Sequence, residues 1–226
     1  MASRVVDAGL IPGESRLSGR VAFAGGALAL LLLIALHALR PDLEPSTHFI
    51  SEYAVGPAGW VMALCFLSLA IGCIGVLAVL APRTRTALSR IGLFFMILAA
   101  IGLTMAVFFP MDPITVAPEN ASFSGRMHGV AAMIGNPGFM IGALLLTLAL
   151  RRHTDWARLG TPLVAVTALI WIAFALMMYL IMGMMQQEGA STSSGAGWAN
   201  RLLWAAYCAW IMLVAWPFAR GSSTSS

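Results

Sequence analysis

The stretch Val61–Leu80, VMALCFLSLAIGCIGVLAVL, decides the fold class of this chain because it contains no charged side chain. As an α-helix such a stretch spans about 30 Å, which is the thickness of the hydrocarbon core of a bilayer. Backbone polar groups find no water in lipid, so a run of this kind must satisfy them within a helix. The stretch therefore predicts a transmembrane helix.

Five further runs have the same character. The six predicted spans are approximately Val21–Leu39, Val61–Leu80, Ile91–Phe109, Gly129–Leu150, Leu163–Met185 and Leu202–Phe218. The first run follows a polar segment and lacks a small-x-small cleavage site, so we expect it to remain as an anchor. We therefore predict an all-α integral membrane protein, a bundle of six transmembrane helices that forms one domain over residues 1–226 and ends in a polar tail, residues 221–226.

The composition supports a membrane protein and excludes other classes. Of 226 residues, 60% are hydrophobic and only 10% are charged, with a mean hydropathy of +0.88. A soluble domain carries about 25% charged residues. These values exclude a soluble globular protein, a disordered chain and a nucleic-acid binder.

The arginines predict the orientation. Ten lie before helix 1, in the loops after helices 2 and 4, or after helix 6: Arg4, Arg16, Arg20, Arg83, Arg85, Arg90, Arg151, Arg152, Arg158 and Arg220. Only Arg40, Arg126 and Arg201 lie on the other side, together with most of the acids. By the positive-inside rule, both termini are expected in the cytoplasm of a plasma-membrane protein.

Most side chains with chemical capability collect on the predicted outer side. They are His37, Asp42, His48, Ser51, Glu52, Asp112, Ser124, Arg126, His128, Asn200 and Arg201. Ionisable groups near hydrocarbon are costly and often mark functional sites. We therefore expect the functional site at this side of the membrane.

Carboxylates and an imidazole can perform general acid–base catalysis. In this interpretation Asp112 and Glu52 are acid–base groups, His128 is their partner, and Ser124 is a nucleophile candidate because it lies four residues before His128. The substrate contacts are then His37, His48, Ser51, Arg126 and Arg201, with Arg126 or Arg201 stabilising charge. In the structural alternative, Glu52 and Asp112 pair with Arg126 or Arg201 to tie the loops together, and Ser51 and Ser124 cap helices.

Helix 4 carries an interruption, Gly135-Asn136-Pro137-Gly138. Proline cannot donate a backbone hydrogen bond, and Asn136 offers an amide that must find partners within the membrane. The segment is either a packing kink, with Gly138 and Gly142 allowing close helix contact, or the floor of a pocket that opens outward below His128. We include Asn136 among the candidate binding residues.

A metal site is the less favoured alternative. Three outer histidines, His37, His48 and His128, could hold Zn²⁺ together with a carboxylate and leave an open position for water. The ligands would come from separate loops, without a close pair such as HExxH. We predict no resident metal and no cofactor.

Four short motifs give the chain a family resemblance. They are His48–Tyr53 (HFISEY), Phe109–Asp112 (FPMD), Ser124–His128 (SGRMH) and Gly197–Arg201 (GWANR). The chain resembles a family of six-helix prokaryotic membrane proteins, domain of unknown function 998 (DUF998). In the last motif Ala199 and Asn200 depart from the family pattern, so that only Arg201 is carried over. The resemblance implies a six-helix bundle with its polar signature on the outer face, and it implies no activity.

Three classes of function remain open. We favour a membrane-embedded enzyme that acts on a lipid or isoprenoid substrate at the extracytoplasmic interface by carboxylate and histidine acid–base chemistry. The alternatives are a transporter or ligand sensor that uses the same outer pocket, and a non-catalytic accessory protein. The expected partners are membrane lipids or a hydrophobic small molecule, and not nucleic acid.

Overall fold

The computed structural model describes residues 13–83, 86–113, 116–151, 153–156, 158–186 and 195–220. The predicted polar tail, residues 221–226, lies outside these ranges. The helices are α1 (Gly13–Leu39), α2 (Gly59–Leu80), α3 (Ala87–Phe108), α4 (Phe123–Leu150), α5 (Gly160–Gln186) and α6 (Ala196–Ala219). Three short 3₁₀ helices lie between them, at Ile50–Ala54, Pro118–Asn120 and Thr154–Trp156.

All six α-helices contain a segment long and apolar enough to cross a membrane. The described residues contain no β-strand. Over the described residues, the prediction of an all-α protein with six helices long and apolar enough to span a membrane is therefore confirmed. The sides on which the termini lie stay a prediction.

Several helices begin earlier than the apolar runs that predicted them. α1 begins at Gly13, α4 at Phe123 and α6 at Ala196. At α4 the reason is a cap, because the Ser122 hydroxyl accepts a hydrogen bond from the backbone N–H of Gly125 at 3.0 Å. Hydropathy reports the length of helix in lipid, whereas capping decides where the helix starts.

Helices that are consecutive in the sequence pack side by side, and α1 also packs on α6. The contact between α4 and α5 is by far the smallest among these neighbours. Over their most apolar segments α2 and α6 are 61% and 56% buried, whereas α5 is only 22% buried. α2 and α6 thus form the centre of the bundle, and α5 lies at its margin.

α3 and α4 cross at very short range through their glycines. A Cβ atom added to Gly102 would lie 2.5 Å from the Cα of Gly135, and one added to Gly138 would lie 2.7 Å from the backbone nitrogen of Ala99. Small residues at an interface allow two helices in a membrane to approach closely. The glycines beside Pro137 therefore pack α4 on α3, and the helix continues through Pro137. Another face of α4 contacts α6, where the rings of Phe139 and Tyr207 stack with their centroids 4.0 Å apart.

Candidate functional site

We call the end of the bundle that carries the loops 40–58 and 109–122 the long-loop end. Here Arg201, only 6% exposed, connects α6 to the 40–58 loop and to α1. Its Nε donates to His37 Nε2 (2.7 Å), its Nη1 to the carbonyls of Pro45 (3.0 Å), His48 (2.7 Å) and Gly197 (3.1 Å), and its Nη2 to the Tyr53 hydroxyl (2.9 Å). We call Arg201 and these five partners the Arg201 cluster.

The bonds fix the protonation of His37. Its Nδ1 lies 2.7 Å from the Leu33 carbonyl, which can only accept, so Nδ1 carries the proton. Its Nε2 must then be unprotonated in order to accept from Arg201. His37 is therefore a neutral imidazole with both ring nitrogens engaged, and it positions the arginine.

The charge of Arg201 is stabilised by dipoles rather than by an acid. Among the described residues, no carboxylate oxygen lies within 4.0 Å of its guanidinium. Carbonyl oxygens, a phenol and an imidazole take that place. Since a buried charge is costly unless it is hydrogen-bonded, the loop carbonyls and Arg201 hold one another in place.

Two more side chains fix the same loop. Asn200 Oδ1 accepts from the backbone N–H of Ile50 at 3.0 Å. Glu52 Oε1 accepts from the backbone N–H of Phe49 at 2.7 Å, and its Oε2 lies 3.9 Å from His48 Nε2. Glu52 thus closes the first turn of the Ile50–Ala54 helix.

An ion pair between a half-buried arginine and an exposed aspartate begins this loop. Arg40 Nη2 donates to Asp42 Oδ2 at 2.7 Å, and Arg40 Nη1 donates to the carbonyl of Val55 at 2.6 Å. The hydrogen bond from Arg40 holds the pKa of Asp42 below its ordinary value. Arg40 therefore joins the two ends of the loop, with Asp42 as its exposed partner.

The 109–122 loop is held against the first turn of α4. Asp112 accepts from the backbone N–H of Ser122 (2.8 Å) and from its hydroxyl (2.7 Å), and that hydroxyl caps α4. The Ser124 hydroxyl donates to the Pro110 carbonyl at 2.8 Å. Both side chains thus tie the loop to the helix.

A cavity of about 70 Å³ lies below these loops, between α2, α3, α4 and α6. Its lining residues are Ser51, Phe66, Gly102, Leu103, Ala106, His128, Ala131, Ala132, Gly135, Asn136, Phe139, Asn200, Trp204 and Tyr207. Ala132 is exposed and Asn136 partly exposed within the span of α4, so the wall of the cavity reaches the outside of the bundle. We call this space the α4–α6 cavity.

His128 presents an unprotonated nitrogen in this cavity. Its Nδ1 lies 2.9 Å from the Phe109 carbonyl, so Nδ1 carries the proton and Nε2 of the neutral ring keeps its lone pair. Within the described ranges no side chain or backbone group bonds to Nε2. His128 is 8% exposed, and its ring meets the edge of Phe66 with the centroids 6.0 Å apart. It is a preoriented hydrogen-bond acceptor and a potential base.

Deeper in the cavity, Asn136 and Tyr207 form a polar floor. The Tyr207 hydroxyl donates to Asn136 Oδ1 at 3.3 Å, and Asn136 Nδ2 donates to the Ala132 carbonyl at 3.2 Å. Because a primary amide has two N–H groups, Asn136 keeps one donor. Asn200 likewise donates only one N–H, to Met177 Sδ at 3.5 Å.

Ser51 completes the polar lining, and its hydroxyl has no partner among the residues that the structure describes. The polar lining therefore consists of two amides, two hydroxyls and one imidazole. It offers both donors and acceptors, and it contains no carboxylate, lysine or arginine. Such a lining suits an uncharged polar group.

The structure divides the predicted site residues into two sets. Ser51, His128 and Asn136 come together at the α4–α6 cavity. The other predicted residues form hydrogen bonds that hold loops. Arg126 does so by donating to the Ala121 carbonyl. The set consists of His37, His48, Glu52, Asp112, Ser124, Arg126 and Arg201.

Three predicted arrangements do not form in the described part of the chain. Ser124 and His128 share a helix face but bond to the carbonyls of Pro110 and Phe109, and within the described contacts neither bonds to the other or to Asp112. The suggested pairs of Glu52 or Asp112 with arginine are also absent there: Glu52 accepts from the backbone N–H of Phe49, and Asp112 accepts from the backbone N–H and the hydroxyl of Ser122. The cap of α4 is Ser122 and not Ser124.

The three outer histidines do not form a metal site in the described part of the chain. No three His, Cys, Asp or Glu side chains gather there in a way that could hold an ion. His37 uses both ring nitrogens, and His128 lies against Phe66 in the cavity.

Sequence reasoning named Asn200 in the outer polar cluster without giving it a role in the site, and it did not place Trp204 and Tyr207 there. Their spacing contains the signal, because residues four and seven apart share one face of a helix. The lining residues of α4, from His128 through Ala132 and Asn136 to Phe139, follow the same spacing. A stripe of residues on α4 and a stripe on α6, each containing polar side chains in an apolar helix, would have indicated the cavity.

Comparisons with known proteins identify the family. The model of the family described as "Protein of unknown function (DUF998)" matches residues 23–217, most of the chain. This match confirms the resemblance that the four motifs carry. No curated protein and no solved structure matches the chain.

Proposed function

We propose, from the premise that this multi-pass membrane protein belongs to the DUF998 family, that it binds an uncharged amphipathic molecule in the α4–α6 cavity. The headgroup would be a hydroxyl or a carbonyl, as in a prenol or a diacylglycerol. Its apolar tail would lie in the surrounding lipid. This is the lipid or isoprenoid class of ligand that the sequence predicts.

The observation that carries the proposal is the unused hydrogen-bonding capacity of the side chains that line the α4–α6 cavity. His128 Nε2 and the Ser51 hydroxyl are without partners among the described residues, and Asn136 keeps a free donor. These residues line the open space of the cavity, so the missing hydrogen bonds must come from water or from a ligand. A polar headgroup that meets these groups would be stabilised relative to its place in lipid.

Size and charge restrict the class of ligand. A cavity of about 70 Å³ accepts a few non-hydrogen atoms and not a whole lipid. A phosphate would enter a lining without a cation, which is costly because a buried charge needs a partner. The proposal therefore excludes diphosphates and favours the corresponding alcohols.

Binding to purified protein in phosphatidylcholine nanodiscs tests the proposal. The probes are tritiated geranylgeraniol, geranylgeranyl diphosphate and dioleoylglycerol. We expect saturable binding of at least one of the two alcohols and none of the diphosphate. Asn136→Leu should weaken this binding about fivefold, the effect of one lost hydrogen bond.

The matched control is Asn120→Leu, since Asn120 is an exposed asparagine in the Pro118–Asn120 helix, outside the cavity. It should bind the alcohols as the unchanged protein does. Equal loss in both asparagine variants, or binding of the diphosphate in preference to the alcohols, would contradict the proposal.

Acid–base catalysis at the same site is the second candidate, favoured by the tautomer of His128. Its Nε2 lone pair can take a proton from a bound hydroxyl, while the Phe109 carbonyl stabilises the Nδ1–H. Glu52 and Asp112, which the sequence predicts as acid–base groups, would then position the loops. Mass spectrometry of total lipids should show a species that depends on His128 when unchanged protein is compared with His128→Gln at equal folded amounts. Unchanged lipid profiles would contradict catalysis and would support a protein that only binds its ligand.

We propose the predicted orientation as well, with both termini in the cytoplasm and the cavity nearer the extracytoplasmic side. It rests on the distribution of ten arginines against three. A reporter that fluoresces only in the cytoplasm, fused after Ser226, should be bright. If the fusion is expressed normally but does not fluoresce, and a reporter that is active only in the periplasm is active at the same position, the C-terminus lies outside the cytoplasm and the proposed orientation is wrong.

A further inference from the structure

A second open region lies at the opposite end of the bundle, between α4 and α5. It is a groove of about 330 Å³ lined by Leu144, Thr147, Leu148, Arg151, Val164, Thr167, Ala168 and Trp171. On each helix the lining residues recur at intervals of three or four and form one stripe. The groove therefore follows both helix axes, and it exists because α4 and α5 touch so little.

The floor of the groove is closed by a polar contact between the helices. The hydroxyls of Thr147 and Thr167 lie 2.8 Å apart, and Trp210 Nε1 of α6 donates to the Thr147 hydroxyl at 2.9 Å. Thr147 and Thr167 are buried, at 2% and 4% exposure. These bonds use the polar atoms of the floor, so the groove presents an almost entirely apolar surface to the membrane.

The walls of the groove face lipid. Val164 and Trp171 are 42% and 39% exposed, and Leu148 is 37% exposed. Acyl chains in a bilayer run along the helix axes, as this groove does. An apolar channel open to lipid is therefore suited to one acyl chain.

A cation lies at one end of the channel. Arg151 follows the last residue of α4 and is exposed, and its guanidinium has no partner within the described part of the chain. Arg158, also exposed, lies in the same short connection to α5. A basic group at the mouth of a groove between membrane helices is the arrangement that binds anionic lipid headgroups.

We propose that the α4–α5 groove is a binding site for one anionic phospholipid, with an acyl chain between Leu148 and Val164 and the phosphate on Arg151. Charge complementarity selects this occupant, because a zwitterionic lipid offers the arginine a phosphate that its own headgroup cation already neutralises. The site is separate from the α4–α6 cavity, and its lipid would fill the smallest contact between helices that are consecutive in the sequence.

Native mass spectrometry of the full chain tests the proposal. Protein released from nanodiscs containing equal amounts of palmitoyl-oleoyl phosphatidylglycerol and phosphatidylcholine should retain one phosphatidylglycerol in preference. Arg151→Gln should lower this retention about fivefold, as expected for one arginine near a headgroup. Arg151→Lys should preserve most of it, and phosphatidylcholine retention should not change.

Two variants make the test specific. Arg90→Gln removes an exposed arginine from the first turn of α3, outside the groove, and should have no effect. Ala168→Phe fills the groove from the lipid side without changing charge and should reduce retention as Arg151→Gln does. If Arg90→Gln and Arg151→Gln reduce retention equally, or if both lipids are retained equally, the proposed site does not exist. If Ala168→Phe does not fold, the Arg151→Gln, Arg151→Lys and Arg90→Gln set still decides.

Discussion

The Arg201 cluster and the α4–α6 cavity lie at the same end of the bundle and are built from the same kinds of residue, yet they use their polar atoms differently. In the Arg201 cluster every donor nitrogen of the arginine has a protein partner, and the neutral His37 is occupied at both nitrogens. In the cavity, His128 and Ser51 keep groups without a partner among the described residues.

The difference teaches how to separate structural from functional polar groups inside a membrane. A buried group that is fully hydrogen-bonded stabilises the fold, and its loss leaves its partners unsatisfied. A group with spare capacity contributes little to the fold and is available to a ligand. Substitutions in the first region should therefore change stability, and those in the second should change binding.

Arg201→Met should have the largest effect. It removes five bonds and leaves the carbonyls of the 40–58 loop and the His37 imidazole without a donor. We expect a loss of about 3 kcal/mol or more in the free energy of unfolding, or failure to accumulate as folded protein. Fluorescence-detected size-exclusion chromatography after heating measures the apparent melting temperature.

The comparison for this variant is Arg126→Met. Arg126 is exposed and has one described hydrogen bond, to the Ala121 carbonyl. Its replacement should change the melting temperature far less. Similar losses in the two variants would show that the Arg201 cluster is no more structural than an exposed arginine.

Asp112→Ala should have the next largest effect, on stability and not on ligand affinity. Asp112 accepts two hydrogen bonds from Ser122, which itself caps α4. Removal of such a network at a helix start costs about 1–2 kcal/mol. Alcohol binding by the folded fraction should be unchanged, whereas a catalytic or ligand-contacting Asp112 would alter it at equal folded amounts.

The six spans could be predicted from the sequence because hydropathy is a local property. The close contact of α3 and α4 was also visible in Gly138 and Gly142, since both added Cβ atoms would crowd α3. The helix starts were not visible, because at α4 they depend on Ser122 and on its bonds to Asp112, ten residues away.

The candidate site was predicted only in part. His128 and Asn136 are unusual inside an apolar run, so the sequence singles them out. The roles of Glu52, Asp112 and Arg201 depend on partners brought together by folding, as Arg201 and His37 are across 164 positions. The composition of a loop cannot tell a carboxylate that accepts backbone N–H groups from one that faces a substrate.

A matched pair of serines tests the same difference between loop-holding side chains and cavity side chains, with smaller expected effects. Ser124 donates to the Pro110 carbonyl, whereas the Ser51 hydroxyl lines the cavity without a described partner. Ser124→Ala should lower the free energy of unfolding by about 1 kcal/mol and leave alcohol binding unchanged. Ser51→Ala should leave stability unchanged and weaken binding.

This pair is measured by melting temperature and by geranylgeraniol binding on the same preparations. Ser124→Ala should change only the melting temperature, and Ser51→Ala should change only the binding of geranylgeraniol. If Ser51→Ala destabilises as much as Ser124→Ala, or if both weaken binding equally, the division between the two regions fails at this level.

The smallest expected effect is a pH dependence at Asp42, at the exposed edge of the 40–58 loop. The hydrogen bond from Arg40 lowers the pKa of Asp42 in the folded protein. A lowered pKa means that the carboxylate form is favoured by folding, so its contribution is present above the unfolded pKa of about 3.9 and is lost as the pH falls through the folded value. The melting temperature of the unchanged protein should exceed that of Asp42→Asn at pH 7, and the difference should shrink below pH 4.

Glu119→Gln, at an exposed position in the Pro118–Asn120 helix, serves as the control for general effects of acid. Because Asp42 is exposed and Arg40 also holds the Val55 carbonyl, the difference should be small at any pH. A difference that grew on acidification would mean that Asp42 does not support Arg40, and that the carbonyl bond alone holds the loop.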